Sequence, residues 1–390
     1  MITALRDQVE PLTESGIDLL EEMLAIPSPS TQERAIGQWL VSRMRGMGFA
    51  ARRDEVGNVV AFWGSGPKEV VLLGHIDTVP GFIPVSRQGD RLSGRGAVDA
   101  KGPLAAAITA VSRQPIGTGW RFTVIGAVEE EGSSRGARHL VSRRPPDQLV
   151  ILEPSGWDAV TLGYKGSLRL RYRLSQPMGH GAGPNESAGD RAIAFIRRVQ
   201  DQTAKAPTLP SPASGGGKET AASASGGGKE TAASASGGGK KVLDAFARLD
   251  VRVLRFHADH DGFRDTAAMS LGFRLPPDFD VAALKQQLEG WSEGAELRFD
   301  HADAAVRAEK NTPVVRAFLT GIRAAGGTPR FKMKTGTSDM NIVAPAWGCP
   351  ALAYGPGDSK LDHTPDEAVD LAEFERGVEV LSAALRHLAA

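Results

Sequence analysis

The sequence predicts an α/β protein in which a domain built on a mostly parallel sheet carries an inserted α+β domain. Three observations point there. Apolar β-branched runs alternate with helical stretches between residues 58 and 152, the pattern of strands and crossover helices taken in turn. From Gly163 the texture changes: Ser167-Leu-Arg-Leu-Arg-Tyr-Arg-Leu174 alternates strictly, as a strand with one wet face does. From Asn311 the α/β pattern returns. The expected domains are residues 1–162 with 309–390, and 163–308 inserted between them, which suits a chain of 390 residues.

Each element follows from a local pattern. Ile17, Leu19, Leu20, Met23, Leu24 and Ile26 recur at helical spacing and stop before Pro27. A second helix starts near Thr31, with Ile36, Trp39, Leu40 and Met44 on one face, and ends at Gly46 to Gly48. Strands are expected at 50–54, 58–63, 70–73, 121–128 and 148–152, and helices at 102–112 and 134–142. The inserted domain should hold a helix at 188–203, strands at 250–257 and 268–275, a helix at 280–290 and a strand at 296–305. A helix at 312–325, a strand at 350–354 and a helix at 370–388 close the chain. The unit Ser-Gly-Gly-Gly-Lys-Glu-Thr-Ala-Ala-Ser-Ala starts at Ser214, again at Ser225 and partly at Ser236. It is too short and polar to form a core, so 207–240 reads as a flexible loop, engineered or natural.

Composition excludes several classes. Lys+Arg and Asp+Glu are both 46, which gives no global attraction to nucleic acid or a membrane surface. Cys349 is the only cysteine, so an internal disulfide framework and a cysteine-based zinc site are excluded. Neither a signal peptide nor a transmembrane run is recognisable, and the expectation is a cytoplasmic protein.

The chemistry gathers where strands run out. Val70 to Leu73 empties into Gly-His75-Ile-Asp77, which is either a metal ligand with its orienting carboxylate or a polar surface turn. Asp99 lies in Gly-Arg-Gly-Ala-Val-Asp-Ala-Lys-Gly ahead of a helix, and Glu129, Glu130 and Glu131 follow Thr-Val-Ile-Gly-Ala-Val. Glu153 follows Leu-Val-Ile-Leu, and His363 lies in Tyr354-Gly-Pro-Gly-Asp-Ser-Lys-Leu-Asp-His-Thr-Pro. In a parallel sheet the carboxyl ends of strands share one edge, so these segments can converge. Two imidazoles with three or four carboxylates suit Zn²⁺ or similar ions, and one of two adjacent glutamates can take the proton of an attacking water.

These residues, in this order, resemble the co-catalytic metallopeptidase family of aminoacylases, acetylornithine deacetylase, succinyl-diaminopimelate desuccinylase and glutamate carboxypeptidases. The resemblance implies two divalent ions, Zn²⁺ or Co²⁺. It implies that His75, Asp99, Glu130, Glu153 and His363 bind them, with Asp99 bridging ahead of a cis peptide to Ala100. Asp77 would orient His75, and Glu129 would be the general base. The inserted domain would be a lid and homodimerisation domain. His180, in Gly179-His180-Gly-Ala-Gly-Pro, would stabilise the oxyanion from a neighbouring subunit. Arg274 would hold a substrate carboxylate, beside a substrate loop at Gly336, Thr337 and Ser338.

Gly179-His-Gly-Ala-Gly-Pro and the His363 segment are similar, within the family, to hydrolases that free lysine or ornithine from the terminal glutamate of an amino-group carrier protein in amino-acid biosynthesis. Acetylornithine deacetylase and a small-peptide carboxypeptidase are the nearest alternatives, and a non-catalytic dimeric binding protein is the alternative of another class. Asp362 stands where Ala commonly precedes the metal histidine, and Gly272 where Asp is usual two residues before the lid arginine. No lid asparagine is recognisable at 259–265. Such carriers are acidic by the same resemblance. Arg169, Arg171 and Arg173, which share one strand face, and the nearby Lys165 are therefore candidates for carrier binding.

Overall fold

A computed structural model describes residues 15–390 except 118, 181, 182, 184 and 206–244. The repeat at 207–240, expected as a flexible loop, lies outside the described residues. The chain divides into two compact units, one of 1–163, 306–332 and 338–390, the other of 164–305 with 333–337. Residues 333–337, which the sequence assigns to the larger domain, fall with the smaller unit.

In the larger unit the strands Trp120–Ala127, Lys68–His75, Gln148–Ile151 and Ala351–Ala353 lie side by side and parallel. Antiparallel strands flank them, including Val59–Trp63 beside Trp120–Ala127. Register aligns His75 with Ala127, Leu73 with Ile151, and Ile151 with Ala353, so the carboxyl ends form one edge. The central strand is buried from Glu69 to His75, as expected of a sheet covered on both faces. The helix Lys101–Ser112 is buried through its first eleven residues and packs against Gly16–Leu24 and Leu371–Ala389. Thr312 caps the helix Pro313–Ala324 by accepting the Val315 N–H, with Pro313 in the first turn where its missing N–H costs nothing.

The smaller unit is an antiparallel sheet in the order Asp250–His260, Arg264–Leu275, Gly166–Pro177, Glu296–Phe299. One face, with Leu170, Tyr172, Leu271 and Phe273, forms a core with Phe195 and Leu288 from the helices Ala188–Lys205 and Val281–Gly290. The last strand stops at Phe299 rather than 305.

The sequence patterns miss the helix Met340–Trp347, which is short and contains Pro345. They also miss a three-stranded sheet of Ser86–Gln88, Arg91–Ser93 and Ala368–Asp370, whose strands are too short to show a period. Among the described residues no helix is long and apolar enough to cross a membrane.

Candidate metal centre

Five segments of the larger unit deliver their side chains to one place. His75 ends the central strand and is 1% exposed. Its Nε2 lies 3.1 Å from Asp99 Oδ1, 3.9 Å from Glu153 Oε1 and 4.0 Å from Glu130 Oε2. On the other side of Asp99, His363 Nε2 lies 3.1 Å from Oδ2 and 2.7 Å from Glu131 Oε1. Asp99 thus presents one carboxylate oxygen to each imidazole, and the Asp99–Ala100 peptide is cis. The His363 side chain is 48% exposed, which puts the open side of the cluster there.

The surroundings fix these groups. Asp77 Oδ1 lies 3.4 Å from His75 Nδ1, and the backbone oxygen of Asp77 lies 3.0 Å from it. The same carboxylate accepts the N–H groups of Glu130 at 3.0 Å and Glu131 at 3.1 Å, and the Ser30 hydroxyl at 2.6 Å. Glu367, buried and unforeseen from sequence, accepts the N–H groups of Gly96, Val98 and Asp99 at 3.0–3.1 Å and Arg95 Nη1 at 2.8 Å. It therefore holds the loop that carries Asp99. Lys101 donates to the carbonyls of Met23 and Ile26, tying the first helix beneath that loop. Burial lowers its pKa to about 7 against the opposing fields of Glu367 and Asp77.

The glutamate triplet departs from the expected assignment by one residue. Glu129 has φ 61°, a left-handed conformation uncommon outside glycine, which turns the chain as the strand ends. Its carboxylate accepts from Arg135 Nε at 2.7 Å and the Ser133 hydroxyl at 2.6 Å. Burial raises its pKa, but those hydrogen bonds and the Arg135 charge prevail and hold it below the ordinary value. Glu130 and Glu131 point into the cluster instead: Glu131, not Glu130, lies against His363, and Glu130, not Glu129, lies beside His75. Gly136 makes the tight turn possible: a Cβ there would lie 2.4 Å from Asn58 Oδ1 and 2.6 Å from Val128 N.

Charge in the cluster is concentrated. Burial pushes Glu130 well above the usual carboxylate range; repulsion by Glu153, Asp339 and Glu131 adds to it, and His75 opposes it. Burial and the Asp99 charge raise Glu131. Burial disfavours a charged His75, yet its contacts with Asp77 and Asp99 hold its pKa well above 6.5. Hydrogen bonds to Asp99 and Glu131 raise His363 to about 10. Donor atoms within 4.8 Å of one another form three groups: His75 with Asp99 and Glu153; His75 with Glu130 and Glu131; Asp99 with Glu131 and His363. This donor set fits divalent cations, whose charge would relieve that repulsion.

The remaining candidates lie in or beside the smaller unit. Arg274 Nη1 donates to Thr337 Oγ1 at 2.7 Å, so two of the expected substrate groups meet there. Ser338 is buried; its hydroxyl accepts the Met340 N–H at 3.2 Å, which starts the helix Met340–Trp347. Gly336 has open space where a side chain would be. His180 is described, but most of the glycine-rich stretch after it is not. Lys165 is not a surface residue: its side chain is fully buried and paired with Asp250. Arg169, Arg171 and Arg173 are exposed on alternate positions of their strand.

The fold and cluster are those of a metallopeptidase: the chain belongs to Peptidase family M20/M25/M40, whose model matches residues 71–387. It is similar to LysW-lysine hydrolase of Deinococcus radiodurans, with 42% identity over 97% of this chain and 98% of that one. A putative LysW-lysine/LysW-ornithine hydrolase of Thermococcus kodakarensis is 36% identical over 95% of this chain and 91% of its own. Among solved structures, the metallo-carboxypeptidase Sso-CP2 of Sulfolobus solfataricus has a TM-score of 0.75 at 18% identity, over 96% of this chain and 99% of that one. At that identity the likeness is one of fold.

Proposed function

We propose that the protein is a metal-dependent amide hydrolase that releases lysine or ornithine from the terminal glutamate of an amino-group carrier protein. The observation that carries this reading is the full-length similarity to the Deinococcus radiodurans hydrolase in a chain whose site gathers both imidazoles and the carboxylates around Asp99. His75, Asp99 and Glu153 would hold one ion, and Asp99, Glu131 and His363 the other, with Zn²⁺ or Co²⁺ suited to these donors. Bound ions of this kind polarise a carbonyl and make water more acidic.

Glu130 is the general base in this reading. As water oxygen attacks the scissile amide carbon, Glu130 accepts its proton. As the C–N bond breaks, Glu130 gives that proton to the leaving α-amine. Its position supports the role: the carboxylate lies beside the cluster, with Oε2 4.0 Å from His75 Nε2, and it belongs to neither of the two groups assigned to the ions. Asp77 positions the base through the Glu130 and Glu131 N–H groups and positions His75 through the ring. Arg274 with Thr337 would hold the substrate carboxylate, and His180 would donate to the oxyanion.

A homodimer through the smaller unit completes the reading. Among the described residues Asp250–His260 is paired along one edge only, and it exposes Val253 and Phe256. The function is tested by offering purified enzyme the carrier protein conjugated to lysine or ornithine beside acetylornithine. Turnover of a carrier conjugate at least about 100-fold more efficient than that of acetylornithine is expected. The reverse order would assign the enzyme to the deacetylase branch.

A further inference from the structure

The sheet of the smaller unit has a second face, not covered by its two helices, and its charge is unusual. Residues of the strand Arg264–Leu275 alternate between buried and half-buried, with Arg274, Gly272, Ser270 and Ala268 on the half-buried side. Register places arginine on both sides of this line of small residues. Gly272 lies between Arg252 and Arg169, Ser270 between Arg255 and Arg171, and Ala268 between His257 and Arg173. A bulge between Val253 and Arg255 keeps the second arginine on the same face as the first. Its extra residue, Leu254, lies over Gly272, with Cδ1 3.1 Å from where a Cβ would stand.

Nearby acids offset only part of this charge. Arg171 pairs with Asp300 at 3.0 Å, and Arg298 in the last strand pairs with Glu296 at 2.7 Å. Among the described residues no carboxylate pairs with Arg169, Arg173, Arg252 or Arg255, and all four are exposed. Two arginine rails about 10 Å apart thus flank a low floor, with side chains repeating about every 7 Å along each rail. An extended polypeptide repeats its side chains at the same interval. Leu254 closes the end of the floor at Gly272, two residues before Arg274.

We propose that this face is the docking groove for an acidic polypeptide segment lying extended along Ser270 and Ala268, its carboxylates reaching the arginines on either side. The proposal rests on the carrier-protein reading of the function and names the surface that distinguishes a carrier from a small substrate. Charge complementarity selects the occupant: an anionic chain neutralises both rails, whereas a neutral or basic one would leave them buried without partners.

The test uses full-length enzyme and three readouts. In the double variant Arg169→Glu, Arg173→Glu, on a strand inside the sheet, KM for the carrier–lysine conjugate should rise about tenfold or more, and kcat/KM for the small isodipeptide γ-glutamyl-lysine should stay within about twofold. Arg169→Lys with Arg173→Lys, which keeps the charge, should keep KM for the conjugate within about threefold and shows that the sheet still folds. A fluorescent peptide of alternating glutamate and serine should bind the wild type, weaken with salt, and bind the glutamate variant about tenfold less well by anisotropy. Equal loss on both substrates, an unchanged KM for the conjugate, or a short single-stranded oligonucleotide competing as well as the peptide would overturn the proposal. If the wild type fails to cleave the conjugate, the functional reading falls and the peptide arm still decides the groove.

Discussion

Replacing Glu130 by Gln removes one proton acceptor and little else, because Gln keeps the shape and one carbonyl oxygen. The Glu130 N–H bond to Asp77 is made by the backbone and survives, and the two groups proposed above to hold ions, His75–Asp99–Glu153 and Asp99–Glu131–His363, do not include Glu130. Metal content should therefore stay at the wild-type value. A positioned general base is worth about 10²–10⁴ in rate, or about 3–5 kcal/mol at 1.36 kcal/mol per tenfold. The turnover number should fall by that factor, measured as release of free lysine from a γ-glutamyl-linked substrate, with metal quantified by mass spectrometry on the same sample. The control is Glu129→Gln. Its carboxylate meets Arg135, which is 47% exposed, so the ion pair is worth at most about 1 kcal/mol. That variant should keep its turnover number within about threefold. A silent Glu130→Gln beside a dead Glu129→Gln would refute the assignment and restore the register expected from sequence alone.

The two metal groups make separable predictions. On the proposed reading Glu131→Ala should remove the ion shared with His363, and His75→Ala the ion shared with Glu153; each variant should retain about half the wild-type metal content, and an unchanged stoichiometry would place the ligands elsewhere. Glu367→Gln removes no proposed ligand side chain, yet it weakens three N–H contacts, to Gly96, Val98 and Asp99. Metal affinity should drop about 10- to 100-fold with a lower melting temperature, and a metal titration indistinguishable from wild type would count against a positioning role. Burial pushes the Cys349 thiol up to about 11. Since the thiolate is the reactive form, maleimide labelling should be slow at pH 8 and rise about tenfold per pH unit towards 11; a rate that levels off near pH 8.5 would show an ordinary exposed thiol.

What the sequence determined was periodic or punctuated. Parallel strands announce themselves because burial on both faces demands continuous apolar runs such as Val70 to Leu73, and a polar residue at the end of such a run marks a candidate site. Glu153 and, one glycine further on, His75 stand out on that basis, whereas Asp99 and His363 lie in glycine-rich turns and stand out only through the motifs that resemble the family. Three adjacent glutamates carry no register, and one residue's backbone conformation chose among them: the left-handed turn at Glu129, with Asp77 accepting the next two N–H groups, sends Glu130 and Glu131 inward. Lys165 shows the same limit. Its parity matches Arg169, but the strands Ala159–Tyr164 and Gly166–Pro177 break at that residue, so alternation does not carry through and the lysine is buried against Asp250. Glu367 had no local signal, because its partners lie some 270 positions earlier in the chain and only folding brings them within reach. The sequence by itself thus determined the fold class and the segments that hold the chemistry. Tertiary structure alone decided which side chain in each segment faces the site, since that choice is made by backbone conformation and by contacts between residues far apart in the chain.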